Sequence, residues 1–392
     1  MISTDKYKLN QNIWKLFIYN LTQRRNFIPL LSIIFLTFPN TQIQQIGIYT
    51  SAGYFVSFLL EIPSGYFSDK FGQKNTLIIA KLMMIISTIS FLFGHSFLFY
   101  IIGSILLSSS FALESGTKQV FMHNTLLGLN KEKDYIKLMG KNAANVSFIS
   151  GILIILLPFF TKINILFPLI IYLVFDIIGF FVAISFKEPR EKIESEKINL
   201  NSFKTFFNQT KKTSFYSTAI FVGLISGVIT TGSYKEIYLT SLGLPLVLVG
   251  LVMGLSRFIW FIVGHNSHKI SERINFKKLM KIEMFLFPTL LIACAIITNV
   301  YILIMLFALM TGYYWGRIQI EDNYFLTHYK LDTEYKATML SIKAQFSSLF
   351  EFVVSLIIGF VMAISFRLGY LVLGVGLFIF LAINYYFIKW DQ

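Results

Sequence analysis

The sequence predicts an all-α, polytopic membrane protein of about twelve spans in two six-helix halves, and three observations carry that reading. Of 392 residues, 55% are hydrophobic and 14% charged, against roughly 45–50% and about 25% in soluble chains. The apolar residues fall in long runs, and runs of that length do not fit the alternating strands of a membrane barrel. The length, divided by a span of about 20 residues and a connector of roughly 10, allows about twelve to thirteen crossings.

In chain order, apolar runs between polar breaks place the first six spans near 13–37, 43–66, 76–94, 98–124, 142–160 and 164–186. The second six fall near 214–238, 245–266, 279–297, 300–326, 337–364 and 369–388. Residues 1–186 then make an N-terminal half and 213–392 a C-terminal half. A charged cytoplasmic linker, 187–212, joins them and holds Lys187, Arg190, Lys192, Lys197, Lys204, Lys211 and Lys212.

The loops alternate in sign along the chain. Lys6 and Lys8 precede span one, Lys70 and Lys74 follow span two, and basic stretches at 131–141, 269–278 and 330–336 share the linker's side. On the other side, residues 39–45, 94–97 and 298–300 carry no Lys or Arg, with Lys162 and Arg367 as exceptions. Short loops rich in Lys and Arg stay in the cytoplasm, so a cell-membrane protein with both termini cytoplasmic is expected. The net charge of +14 follows from this asymmetry. Basic loops this short and scattered suit anionic lipid headgroups rather than nucleic acid. Residues 1–12 are polar and basic, so no secretory leader is expected. Cys294, the single cysteine, sits in an apolar run and reads as a small buried hydrophobe.

After span two comes Glu61-Ile62-Pro63-Ser64-Gly65-Tyr66-Phe67-Ser68-Asp69-Lys70-Phe71-Gly72-Gln73-Lys74. Gly65 lets a helix end pack closely and Gly72 permits a tight turn. Asp69, ahead of span three, is placed to cap helix N–H groups, with Lys74 balancing its charge. Ser271 to Lys278 aligns with Ser68 to Asn75 at a shift of 203 residues, and the same shift sets Gly250 on Gly47 and Leu239-Thr240 on Leu36-Thr37. In this second copy Gly65 becomes His268.

The Gly65, Asp69, Gly72 and Lys74 pattern resembles the G-x-x-x-D-x-x-G-x-[RK] signature of the major facilitator superfamily, and the resemblance covers essentially the whole chain. It implies two parallel six-helix repeats with a substrate site near the midplane between them, and it makes those four residues a cytoplasmic gate. Glu61-Ile62-Pro63-Ser64-Gly65 and Lys336-Ala337-Thr338-Met339-Leu340-Ser341 also resemble the E-x-P-[ST]-G and R-A-T-x-L-S of a bacterial subgroup of drug and metabolite exporters. Two signatures of drug–proton antiporters are missing. Residues 140–151 lack the helix-five G-x-x-x-G-P-x-x-G-G, and helix four reads Ala112-Leu113-Glu114-Ser115-Gly116 where R-x-x-Q-G would stand.

An ionisable side chain inside a span costs several kcal/mol unless paired or wet, so each is a site candidate. These are Arg24 and Arg25 in span one, Glu61 in two, Glu114 and Lys118 in four, and Lys235 and Glu236 in seven. Arg257 lies in eight, Arg317, Glu321 and Asp322 in ten, and Lys343 and Glu351 in eleven. By the resemblance, helices one, four, seven and ten line the central cavity, and they hold nine of these charges. The peripheral helices carry Asp176 mid-span, with Lys81 and Glu283 toward cytoplasmic ends.

Glu114 and Lys118, and likewise Arg317 and Glu321, are four apart and share a helix face. Either the partners neutralise one another and hold the bundle, or Glu114 or Glu321, with Glu61 a third candidate, carries a coupling proton. Arg24 and Arg25 lie about 100° apart on a helix, so one of them faces the cavity, and the reading favours Arg25. That residue either holds an anionic or zwitterionic substrate group by a bidentate contact or pairs with Glu61 or Glu114. Arg24, Arg317, Lys118 and Asp322 complete the candidate substrate-binding set. Lys235 and Glu236 are expected at the outer mouth.

No G-x-x-x-x-G-K-[ST] occurs, so ATP-driven transport is not indicated. No nucleophile–base constellation points to an enzyme, His265 and His268 have no third ligand at metal spacing, and no cofactor is expected. The expectation is a monomeric secondary active transporter in the lipid bilayer, moving a small amphipathic or charged organic compound by rocking of the two halves. Proton-coupled efflux stands first. Uptake or facilitated diffusion of an anionic or zwitterionic solute is the alternative within transport, and a non-transporting receptor or immunity protein of the same fold is the alternative outside it.

Overall fold

The structure, a computed structural model, describes residues 2–61, 63–189, 214–329 and 336–388. Most of the expected linker and the loop at 330–335 lie outside the described residues. Every regular element among the described residues is helical, since in hydrocarbon a backbone must satisfy its own N–H and C=O groups. In chain order they are α1 (Ile2–Gln23), α2 (Ile28–Phe35), α3 (Ile43–Leu60), α4 (Pro63–Phe71), α5 (Gln73–Phe93), α6 (Phe97–Glu114), α7 (Thr117–Gly128), α8 (Tyr135–Leu156) and α9 (Phe167–Ile184). After the linker come α10 (Phe215–Ser226), α11 (Gly232–Ser241), α12 (Val249–His265), α13 (Ser267–Arg273), α14 (Phe276–Ile296), α15 (Val300–His328), α16 (Lys336–Ile364) and α17 (Phe366–Phe387).

Ten helical stretches among the described residues are long and apolar enough to cross a membrane, with α6–α7 (Phe97–Gly128) and α10–α11 (Phe215–Ser241) each counting as one. They fall on expected spans three to twelve. The first two expected spans are helical but interrupted. Span one divides into α1 and α2 across Arg24 to Phe27. The cause is Pro29, which has no N–H and whose ring excludes a helical carbonyl four residues back, so it is tolerated only in the first turn of a new helix. Arg24 and Arg25, expected 100° apart on one helix, therefore stand in a break and obey no helical spacing. Span two divides at Glu61 for the same reason, with Pro63 opening α4. Its longer part, α3, carries Gln44, Gln45, Thr50, Ser51 and Ser57, which leaves it less apolar than the ten.

Two further spans are irregular. Span four breaks at Ser115 and Gly116, where Gly116 adopts φ +77°, a left-handed conformation open to glycine. Span seven passes through a 3-10 turn, Gly227–Thr231, between α10 and α11. The repeat shift of 203 carries Arg24 onto Gly227, so the irregular stretches of spans one and seven occupy equivalent places in the two repeats.

The helices gather into two compact units. The first comprises Met1–Ile28 and Leu59–Lys197, which hold α1 and α4 to α9. Its core joins Leu16 and Tyr19 of α1 to Leu77 of α5, Phe121, Met122 and Leu126 of α7, and Ala183 of α9. α9 is two-faced: Ile170, Val174, Ile177 and Phe181 are exposed, whereas Tyr172, Asp176, Gly179 and Ala183 are buried. An apolar face of that kind suits lipid.

The second unit comprises Pro29–Phe58 and Ile198–Gln392, so α2 and α3 pack with α10 to α17. Phe215, Ala219 and Val222 of α10 meet Phe325 and Tyr329 of the α15 end and Met339 of α16. Glycines set the closest helix contacts, as is common in membranes. A Cβ on Gly47 of α3 would stand 2.5 Å from the Ser355 carbonyl oxygen and 2.8 Å from Gly359 Cα, both on α16. The Thr50 and Ser355 hydroxyls lie 2.6 Å apart along the same seam.

Candidate functional site

In the first unit the buried charges collect around the two helix breaks. Arg25, freed from the helix, donates from Nη1 to Asp176 Oδ2 at 3.0 Å and from Nη2 to Asp176 Oδ1 at 2.5 Å. Its guanidinium lies between the rings of Phe27 and Tyr172, 5.8 Å from each centroid. Thr88 of α5 donates a third hydrogen bond to Asp176, at 2.7 Å. Asn26 steadies the break by donating to the Ser150 carbonyl at 3.1 Å and accepting from the Ser150 hydroxyl at 2.9 Å. The partner of Arg25 is thus Asp176 on α9, not Glu61 or Glu114.

Glu114 is the last residue of α6 and Lys118 lies just inside α7, so the pair forms across a break rather than along one helix. The Tyr19 hydroxyl donates to Glu114 Oε1 at 2.6 Å, and Lys118 Nζ stands 3.0 Å from Oε2. Glu114 is buried, while the Lys118 side chain is 23% exposed. Lys81 is fully buried. Its Nζ lies 4.9 Å from the Tyr19 ring centroid and 3.9 Å from Met84 Sδ, and among the described residues it has no ion pair.

The second unit carries a related network. Arg317 donates from Nε to Glu283 Oε1 at 2.9 Å and from Nη2 to Glu283 Oε2 at 3.1 Å, and it also pairs with Glu321 one turn on. Tyr313 donates to Glu283 at 2.8 Å. Lys343 of α16 lies 3.9 Å from Glu321 and pairs with Asp322, whose side chain is 40% exposed. The shift of 203 carries Glu114 onto Arg317 and Lys118 onto Glu321, so the two repeats hold the same pair with its polarity reversed. Lys235 and Glu236 are both buried, not at a solvated mouth; Lys235 Nζ lies 3.6 Å from Glu236 Oε1 and donates to Thr311 at 3.3 Å.

At the motif loop, Gly72 adopts φ +86°, as a tight turn requires. The expected cap from Asp69 cannot be followed, because Gly65 and Asp69, beyond their helical backbone, lie outside the described residues. N–H groups that open α5 are accepted by Glu188, with Gln73 N at 3.1 Å and Lys74 N at 2.9 Å from its two oxygens. In the second copy Asn275, the counterpart of Gly72, caps α14 by itself, accepting from Lys278 N at 2.9 Å.

A sequence profile described as Major Facilitator Superfamily matches residues 16–342, most of the chain. The chain belongs to that superfamily. It is a multi-pass membrane transporter. No curated protein sequence matches it. Among solved structures, a point mutant of the nucleoside transporter NupG is similar at TM-score 0.81 and 12% identity, over 97% of this chain and 99% of that one. A bacterial homologue of the human lysosomal transporter Spinster, inward-facing and unoccupied, gives 0.69 at 14%, over 98% and 96%. A D-xylose–proton symporter gives 0.68 at 14%, over 99% and 98%. At these identities the likeness shows the superfamily fold alone.

Of the residues singled out as superfamily-type site candidates, the fold brings Glu114 and Lys118 together in one unit, and Arg317, Glu321 and Asp322 in the other. Glu61 and Arg24 form no ion pair among the described residues. Sequence reasoning placed Asp176 and Glu283 on peripheral helices and missed them as partners, and it missed Glu188 altogether. A mid-span carboxylate in an otherwise apolar helix was the available signal for Asp176.

Proposed function

We propose that this transporter is a secondary active exporter of a small amphipathic or charged organic compound, coupled to inward proton movement. In this reading residues 1–186 and 213–392 rock as two halves in the cell membrane, with both termini in the cytoplasm and Gly65, Asp69, Gly72 and Lys74 at the cytoplasmic gate. The observation that carries it is the placement of Glu114 at the break of span four. One oxygen is tied to a buried phenol and the other to a lysine that is 23% exposed. A carboxylate between a dry partner and a wet one can exchange its ion pair for a proton. Glu321 stands between two buried cations, Arg317 and Lys343. Interrupted helices at mid-depth are where coupling and substrate sites of secondary transporters gather. Arg25, held by Asp176 on both terminal nitrogens, is read as structural. Arg24, without an ion pair among the described residues, and Lys118, Arg317 and Asp322 are read as candidate substrate contacts.

The test is proton movement in proteoliposomes under an imposed pH gradient, across a panel of amphipathic cations, anions and short peptides. Wild type is expected to show compound-evoked proton flux, and Glu114→Gln to lower it about tenfold or more while compound-for-compound exchange persists. Transport by wild type without proton movement would overturn the coupling, and failure to move any compound would overturn the export reading.

A further inference from the structure

We infer that Glu351, with Tyr54 and Tyr314, forms a binding site for the positively charged head of an organic onium or ammonium compound. The site lies within the second unit, and the assignment rests on the transporter reading above. It begins from an imbalance among the in-span carboxylates. Asp176, Glu114, Glu283, Glu321 and Asp322 each hold an ion pair, and Glu236 faces Lys235. Glu351 forms no ion pair or hydrogen bond among the described residues, yet its oxygens keep accessible surface. Glu61 shares the lack of a partner but stands at the end of span two, next to the cytoplasmic loop. A carboxylate at the centre of a span is costly unless something balances it, and no described residue supplies a cation to Glu351.

The position is central on every element that meets there. Tyr54 is the twelfth of 18 residues in α3, Tyr314 the fifteenth of 29 in α15, and Glu351 the sixteenth of 29 in α16. Ser226 ends α10 just before the 3-10 turn of span seven. Both phenols lie within electrostatic reach of Glu351, and Tyr54 within reach of Tyr314. The Tyr314 hydroxyl donates to Ser226 Oγ at 3.2 Å, which fixes that ring.

The two flanks of Glu351 on α16 are already filled. Toward α3, Phe352 meets Phe55 at 5.2 Å between centroids and Ser355 meets Thr50 at 2.6 Å. Toward α10, Phe350 and Val354 close over Gly223 and Gly227, leaving 2.7 and 2.9 Å for a Cβ there. At about 100° per residue, Glu351 points between these two faces rather than to lipid.

One carboxylate close to two tyrosine rings suits a bulky, weakly hydrated cation, bound by charge and by ring quadrupoles together.

The experiment is equilibrium binding of tritiated tetraphenylphosphonium to the purified full-length protein, above the background of empty micelles. Wild type is expected to bind saturably, Glu351→Gln to weaken binding about tenfold, and Glu351→Asp to stay within about threefold of wild type. Tyr54→Leu should weaken it about fivefold, and Tyr314→Phe, which keeps the ring, should change it little. Monodisperse elution and an unchanged melting temperature for Glu351→Asp guard against a folding defect. No saturable binding by wild type, or equal binding by wild type and Glu351→Gln, overturns the site. Solute exchange by wild-type proteoliposomes would uphold the transport reading even then, whereas cation binding without any flux would keep the site and overturn that reading.

Discussion

Arg25 and Asp176 show how the buried charges act at the scale of single residues. Both side chains are almost wholly buried, and two parallel N–H···O bonds join them, a geometry that only arginine offers a carboxylate. Removing one member leaves the other charged, dry and unpaired. Asp176→Asn is therefore expected to destabilise the protein by about 3–5 kcal/mol, read as a lowered thermal midpoint in detergent. Arg25→Met combined with Asp176→Leu should recover most of that loss, because it removes both desolvated charges at once. The i,i+4 pairs were legible in the sequence, since spacing alone sets Glu114 beside Lys118 and Arg317 beside Glu321. The partners of Arg25 and of Glu283 were not. Each comes from a different helix, and no local pattern says which faces of two helices meet.

At the scale of elements, the helix breaks follow from proline and glycine, and helix contacts from the absence of side chains. On the α3–α16 seam, Gly47→Ala would press a methyl into the Ser355 carbonyl oxygen and the Gly359 backbone at 2.5 and 2.8 Å. It should cost about 1–3 kcal/mol. Gly376→Ala on α17, where a Cβ would meet nothing within 4 Å, should be neutral or stabilising by up to about 1 kcal/mol. Comparing the two melting temperatures separates packing from helix propensity. Glu188, at the start of the linker, accepts the opening N–H groups of α5. Glu188→Ala should release that turn at a cost of about 1 kcal/mol, seen as faster amide exchange at the start of α5 with the rest of the helix unchanged. Asn275 does locally in the second repeat what Glu188 does from a distance in the first.

At the scale of the whole molecule, orientation is the property open to direct measurement. In the proposed orientation, drawn from the Lys and Arg asymmetry, residues 39–45 and 298–300 lie outside and 131–141 inside. In a Cys294→Ser background, Thr41→Cys and Thr298→Cys should react with a membrane-impermeant maleimide added to intact cells. Lys133→Cys should react only after the membrane is opened. The reverse pattern would overturn the proposed orientation and with it the cytoplasmic gate. The exposed rings of Phe148, Phe181 and Phe261 fit a surface that meets lipid rather than water.

The sequence by itself determined the all-helical membrane class, the repeat at a shift of 203 and the superfamily motif. These depend on composition, periodicity and local backbone chemistry, which need no distant partner. Only the tertiary structure decided that Arg25 belongs to Asp176 and Arg317 to Glu283, that Lys81, Lys235 and Glu236 are buried, and that Glu351 has no cation partner among the described residues. Which charge meets which depends on how separate helices rotate against one another, and in a low-dielectric interior that rotation is settled by packing and by charge pairing together.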